Sequence, residues 1–500
     1  MCHHLIHIDQ SIGKVTTCSV IADHTGWRIF HILFLRAGSA LQLTVLFGLL
    51  CSLDAYADPW LDNQDARLRH SLYVGLEYGV SQSPVSTWPM LWGNYAGRAD
   101  FSYSQLRHTE HPDASNIQQE TLSHLQFTDR QARGDGIQIE KKSTMASGYN
   151  LNPGFSTPWQ EKKTLALSIS YNNDFSASQL SVETADDPFD NKKFRFDNSY
   201  VSLAFSNWVV GAGTQTQWWG PGWDNSLLLS NNARPSPSIF LQRNYSKPDR
   251  DPAYHWTGNW QLRTFISTLE QSREDNKDLL SGARLNSRFG QSLELGLSYL
   301  MEWGDKKKTE INQNSRTSNS VSRFGFDISY SVSVLDQPVQ IYGQFVQEND
   351  RGQNSHNNYE LVGISTHFSY GKNQYRLFLE ANDTRKNLLQ QNQIPNYTYR
   401  GRSIGATFEG ARQTSLGLFR FHPGGSEIYL KYSQIRDGKR AINYAAPDQF
   451  GIVSLTFKFP LMNSYVSTAV NYSDNAIGLK KDNQREPKFS ASLQWQYRFK

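Results

Sequence analysis

Phe489, Ala491, Leu493, Trp495, Tyr497 and Phe499 alternate with Ser490, Ser492, Gln494, Gln496, Arg498 and Lys500 at the end of the chain. A period of two puts the first set on one face of a strand and the second on the other. One face is therefore apolar and ends in aromatics, while the other is polar throughout. In a soluble sandwich the apolar face would meet a core. In a membrane barrel it meets lipid, and the polar face meets a watery lumen. The same pattern recurs upstream. Leu165, Leu167, Ile169 and Tyr171 oppose Ala166, Ser168, Ser170 and Asn172, and Val201, Leu203 and Phe205 oppose Ser202, Ala204 and Ser206. Leu293 to Tyr299, Phe324 to Val334, Val453 to Phe459 and Val466 to Tyr472 repeat it. Such runs suit tilted strands crossing a bilayer. In lipid an open sheet edge would leave backbone groups unpaired, so the sheet must close.

Bulk properties agree. Over 500 residues the mean hydropathy is −0.58, with no soluble-domain rhythm of alternating helices and strands. Fifty basic residues against 46 acidic ones give a net charge of +4, too balanced for a nucleic-acid partner bound by bulk electrostatics. The three cysteines are Cys2, Cys18 and Cys51.

Ala37 to Leu53 is an apolar run after Arg36, followed by Ala55-Tyr56-Ala57. A basic flank, a short apolar stretch and small residues at −3 and −1 predict a secretory signal cut before Asp58. The run is shorter than the ~20 residues a membrane helix needs. Leu50 stands where lipoprotein processing at Cys51 would want a small residue. Residues 1 to about 34 are too long for a signal's basic region, which points to an over-extended start. Cleavage leaves a mature chain without cysteine, hence without thiol chemistry.

Asp62 to Val80 carries Leu68, Leu72 and Leu76 at helical spacing, with Gly79 as a stop signal and Gly75 arguing against the helix. Pro84 and Pro89 then break the chain, among Trp88, Trp92 and Tyr95. A second helix is predicted around Ser115 to Leu125. Three regions result: residues 1–57 as signal, 58–130 as a helical or irregular periplasmic or luminal segment, and 131–500 as the barrel. Polar stretches at 183–193, 273–278, 306–318, 349–358 and 382–396 read as long outer loops.

The densest chemistry lies in Thr214 to Pro235, which holds Trp218-Trp219-Gly220-Pro221-Gly222-Trp223 and Asn231-Asn232-Ala233-Arg234-Pro235. It cannot be a regular lipid-facing strand. Aromatic faces beside amide and guanidinium donors suit sugar rings; they equally suit a structural loop packed into the lumen. Trp218, Trp219, Trp223, Asn231, Asn232 and Arg234 are thus candidates for glycan binding or for plugging the lumen.

This block resembles the signature of the Wzi-type capsule assembly family of Gram-negative outer-membrane proteins. Ser86-Thr87-Trp88-Pro89 with Trp92-Gly93, Tyr342-Gly343-Gln344, Leu379-Glu380 before Asp383-Thr384, and Tyr399 to Gly405 agree with it. Gln347-Glu348-Asn349-Asp350 departs, since a more compact Gly-Glu-Asp cluster is expected there. The resemblance implies a monomeric barrel of about eighteen strands and a helical bundle on the periplasmic side. It also implies an outer-surface lectin role towards capsular or extracellular polysaccharide, amid outer-membrane lipid and lipopolysaccharide.

Enzymatic signatures are weak. His108-Thr109-Glu110-His111 pairs two histidines without a third metal ligand in view. Gly211-Ala212-Gly213 has no Rossmann or P-loop continuation and reads as a close-packed strand end. No Gly-x-Ser-x-Gly elbow occurs. The expectation is therefore an all-β transmembrane protein: a closed antiparallel β-barrel of about 18 strands with a small N-terminal helical segment. It holds polysaccharide at the outer membrane, with no cofactor, no metal, no catalysis and no nucleic-acid partner. A general or sugar-specific porin is the alternative, followed by a barrel enzyme acting on lipid or glycan.

Overall fold

The computed structural model describes residues 60–61, 64–96, 112–132, 136–156, 161–173, 175–186, 188–243, 259–269, 279–303, 321–335, 337–350, 355–385, 397–441, 444–479 and 487–499. The signal segment, the His108 to His111 cluster and the polar stretches 273–278 and 306–318 lie outside them.

Eighteen antiparallel strands and one two-residue strand close a barrel. In chain order they are β1 (Gly136–Ala146), β2 (Lys163–Asn172), β3 (Ser176–Asp186), β4 (Tyr200–Phe205), β5 (Trp208–Gly213) and β6 (Ser238–Arg243). There follow β7 (Asn259–Thr268), β8 (Leu279–Phe289), β9 (Leu293–Trp303), β10 (Val321–Val334), β11 (Gln337–Asp350) and β12 (Ser355–Tyr370). The last six are β13 (Asn373–Asp383), β14 (Arg412–Phe421), β15 (Glu427–Arg436), β16 (Gln449–Leu461), β17 (Ser464–Ser473) and β18 (Phe489–Phe499). Closure joins β18 to β1, from Ser492 opposite Ala146 to Phe499 opposite Ile139. No edge is left to lipid. Phe194–Arg195 adds a short strand against Glu183 and Thr184.

The predicted alternation is the barrel's inside–outside division. On β2 the outward Leu165, Leu167, Ile169 and Tyr171 are exposed, as are Phe324, Phe326, Ile328 and Tyr330 on β10. Neighbouring inward positions are polar and buried, for example Arg284, Asn286 and Arg288 on β8. An exposed apolar belt on this scale is stable only against hydrocarbon. No helix among the described residues is long and apolar enough to cross a membrane.

Connections are mostly short at one end, as at Val334 to Gln337 and Leu461 to Ser464, with Arg243 to Asn259 the long exception, and mostly long at the other. Two stretches expected as loops differ from that expectation. β11 runs to Asp350 and β12 starts at Ser355, so most of 349–358 is strand; β3 likewise continues to Asp186. Strands that extend past the lipid need no apolar face, so composition there resembles a loop.

The helical segment sits at the short-turn end. Helix α1 (Ala66–Glu77) is capped by Asp65, whose carboxylate accepts the Leu68 N–H at 2.8 Å. Leu68, Leu72 and Leu76 are buried as the spacing predicts. Gly75 is explained by contact: a Cβ there would collide with the Tyr95 hydroxyl. Gly79, at φ +78°, takes the left-handed turn that ends the helix. Helix α2 (Trp92–Ala96) carries Trp92 and Tyr95, stacked at 5.6 Å. Helix α3 (Pro112–Ala132) is about one turn longer at its start and two turns longer at its end than predicted, and its Asp129 accepts the Trp92 indole N–H at 2.8 Å. Arg67 of α1 donates to the His422 carbonyl in the β14–β15 turn, and the Gln374 amide on β13 donates to Ile117 of α3. Both helices are thereby bonded to the barrel's lower rim.

Candidate functional site

The Thr214 to Pro235 segment leaves β5 and folds into the lumen instead of over the rim. Its first anchor is backbone pairing: Trp218 and Trp219 form a two-residue ladder with Trp88 and Thr87. Burial of the indoles follows. Trp218, Trp219 and Trp223 are 1%, 0% and 0% exposed. Trp218 meets Phe155 edge-on at 5.4 Å and Trp219 meets Phe265 at 5.5 Å. The Arg69 guanidinium, rising from α1, lies 4.4 Å from the Trp223 ring and 4.2 Å from Phe155. It also donates to the Gly222 and Pro221 carbonyls, each at 2.9 Å. None of the three indole N–H groups has a protein acceptor.

Barrel-wall side chains hold the turn. The inward Glu380 carboxylate of β13 accepts the N–H groups of Trp223, Asp224 and Asn225 at 2.8, 3.3 and 2.7 Å, and the Tyr342 hydroxyl at 3.1 Å. Buried amides that would otherwise be orphaned thus share one anion. Gln344 of β11 accepts the Leu227 N–H and donates to the Trp219 carbonyl, both at 2.8 Å. Gly220 passes so close that a Cβ would sit 2.9 Å from the Gln344 amide nitrogen. Asp224 pairs with the fully buried Lys431 ammonium of β15 and accepts from Gln413 at 2.6 Å.

The polar half of the segment is bound as firmly. The Asn231 amide donates to the Phe155 carbonyl at 2.6 Å, and that of Asn232 to the Ser403 carbonyl at 2.9 Å. Arg234 makes a fork to Asp197 at 2.7 and 2.8 Å and also bonds Asp190. Arg195 lies 3.2 Å from the same Asp190 and pairs with Glu161. Burial alone would raise the Asp190 carboxyl, but Arg234 and Arg195 beside it hold it below its ordinary range. The three tryptophans and both asparagines are thus packed or bonded within the lumen, and Arg234 sits in an ion cluster with Asp197, Asp190 and Arg195. Five are buried, and only Arg234 keeps a partial outlook, at the long-loop end.

Fragments that looked unrelated in the sequence meet here. Ser86 and Thr87 touch the buried Glu294 and Arg284 of the opposite wall. Tyr342, Gln344 and Glu380 clasp the tryptophan turn. Ile404 accepts the Ser230 N–H at 2.9 Å. Glu348, in the stretch that departs from the family pattern, pairs with Arg323, which also reaches Glu409 at 3.3 Å. Lys431 was missed, although a lone cation on an inward row already demands a buried anion. Gly211 behaves as a close-packed strand end, since a Cβ there would lie 2.6 Å from the Val201 carbonyl. Among the described residues no group of three His, Cys, Asp or Glu side chains is placed to hold a metal.

A closed transmembrane barrel whose lumen is occupied by its own tryptophan loop defines the class. The chain belongs to the Wzi capsule assembly protein family, whose model matches residues 137–488. A Klebsiella pneumoniae relative, an uncharacterized 55.8 kDa protein in the cps region, is 27% identical over 370 residues, 69% of this chain and 70% of that one. The solved Wzi structure is described as a carbohydrate-binding β-barrel of the outer membrane, involved in group 1 capsule assembly in Escherichia coli. It aligns at TM-score 0.73 and 21% identity, over 88% of this chain and 100% of that one. At that identity the likeness shows the shared fold.

Proposed function

We propose that this protein is an outer-membrane anchor that holds capsular or extracellular polysaccharide at the cell surface. The observation that carries the reading is family membership over nearly the whole barrel, from β1 to the edge of β18. The E. coli barrel's described carbohydrate binding and part in capsule assembly support it. In this reading residues 1–57 are removed on export, residues 58–130 lie at the periplasmic mouth, and the long loops face outward as the polymer-contacting surface. The six loop residues fill and brace the lumen rather than touch polymer, in keeping with indoles at 0–1% exposure. The protein acts as a monomer, without cofactor and without cleaving the polymer, surrounded by outer-membrane lipid and lipopolysaccharide.

Deletion of the gene tests this directly: polysaccharide should move from the cell pellet to the medium and return on complementation. Unchanged retention in the deletion strain overturns the reading. A sugar-specific channel is the second reading, and it draws on one observation, a large unfilled part of the lumen. Steady single-channel current in a planar bilayer favours that channel; negligible current favours the anchor.

A further inference from the structure

The tryptophan loop occupies only one side of the lumen. Along the inner faces of β16–β18 and β1–β3 runs an open groove of ≈ 1790 Å³. It extends from the short turns at Gly425 and Met462 to Asn150 and Asp197 near the long loops. From Ser490 to Arg498 it follows a single strand over roughly 26 Å, at about 3.3 Å per residue.

Its chemistry is neutral and hydroxylic. Ser454, Thr456, Ser467, Ser492, Gln494 and Ser168 present hydroxyls and amides, which donate and accept alike. The lining carries six carboxylates against five Lys or Arg side chains, so it favours neither sign of ion. Near the short-turn end the charges neutralise one another, Lys458 with Glu427 at 3.1 Å and Arg498 with Glu140 at 2.7 Å. Two lining hydroxyls, those of Ser454 (7% exposed) and Tyr429 (6% exposed), have no protein partner. On the packed side many inward groups are instead bonded to the tryptophan loop or to one another, as Glu380 is to Trp223 and Gln340 to Ser329. The Tyr429 ring stacks on Phe419 at 4.1 Å, a nearly buried pair that backs the groove wall.

We propose that this groove is a second, luminal binding site that takes a segment of uncharged, hydroxyl-rich oligosaccharide lying along β16–β18 and β1–β3. A long path with paired charges and unspent hydroxyls matches a polyhydroxylated chain. Fixed anions or lipid tails find no complement in it. The inference rests on the polysaccharide reading above and deepens it by giving the polymer a place inside the barrel.

Cysteine protection tests it. No cysteine follows Cys51, so Ser492→Cys introduces a lone barrel thiol with minimal change of volume. In the purified barrel a methanethiosulfonate reagent should label that thiol. Maltohexaose should slow labelling at least fivefold, whereas hexagalacturonate should slow it less than twofold. Ser492→Trp, which fills the groove, should weaken maltohexaose binding tenfold or more while the barrel keeps its heat-modifiability. Labelling that maltohexaose leaves unchanged, or protection by the acidic hexamer alone, overturns the proposal. Should Ser492→Trp not assemble, the cysteine variant decides alone. The two readings fail separately. Normal capsule retention beside failed protection removes only the luminal site, whereas retention that survives gene deletion removes the attachment role.

Discussion

The two sides of the lumen are built from the same kind of strand and do opposite things with their inward residues. Around β8–β15 the inward row includes large ionic groups: Arg284 with Asp327 at 2.6 Å, Arg288 with Glu294 at 3.3 Å, and Lys431 with Asp224. These charges are almost fully buried, and chain segments from three parts of the sequence pack among them. Around β16–β18 and β1–β3 the inward row is mostly Ser, Thr, Asn and Gln, and it borders open space. Buried ions need partners with fixed geometry, so that side must be filled. Small hydroxyl side chains are satisfied by water or a solute and require no filler.

Substitutions of similar size should therefore have very different costs on the two sides. The largest effect is expected for Lys431→Met, which strands Asp224 without its cation. Leaving one member of a buried pair costs about 3–5 kcal/mol, to be read from denaturant unfolding in detergent. A change under about 1 kcal/mol would show that this side is wetter than its geometry implies.

Trp219→Ala comes next, at about 3 kcal/mol, because the deleted indole leaves a void under a loop that can partly collapse. Its sharper readout is conductance. Loss of the filler should raise the current through the barrel, and an unchanged current would separate filling from sealing.

The third prediction concerns the helical floor, outside the membrane-spanning strands. Burial raises the Glu77 carboxyl of α1 from 4.5 to about 7, against the opposing pull of Arg376 and Arg288. His367 Nδ1 lies 3.1 Å from it. Because the folded state favours the protonated form, its contribution is complete below pH 4.5. It is lost as pH rises through about 7. His124 of α3, pushed down to about 4 by burial, slopes the other way, so the informative comparison is with Glu77→Gln. That variant should match wild type at pH 4.5 and exceed it by roughly 1–3 kcal/mol at pH 8. Equal stability at both pH values would mean that water reaches the carboxylate.

Ser467→Ala, in the open row of β17, is the smallest change. It should alter stability by less than about 0.5 kcal/mol. A larger loss in melting experiments would mean that the groove row is structural after all, and the contrast between the two sides would fail.

The barrel was legible because lipid imposes its requirement residue by residue. Each outward position of Phe489–Phe499 or Leu165–Tyr171 must be apolar wherever its partner strands lie, so a period of two survives in the bare sequence. Helix α1 was legible for a similar reason, its leucines repeating every turn. Its boundaries were less so, because Gly75 owes its place to Tyr95 and to no local rule. The tryptophan block was visible as unusual composition, yet its two possible roles could not be told apart there. The bond from Glu380 to Trp223 spans 157 positions, and nothing near either residue names the other. The chain alone thus determined which residues face lipid on the strongly alternating strands, where solvent acts on each position alike, though not on β1, whose Lys141 and Ser143 share the outward face with Tyr497 and Trp495. Which inward residues face a packed loop and which face an open groove was decided only by tertiary structure. That choice depends on where one long segment, leaving β5, turns inward and finds a carboxylate ready to receive its backbone.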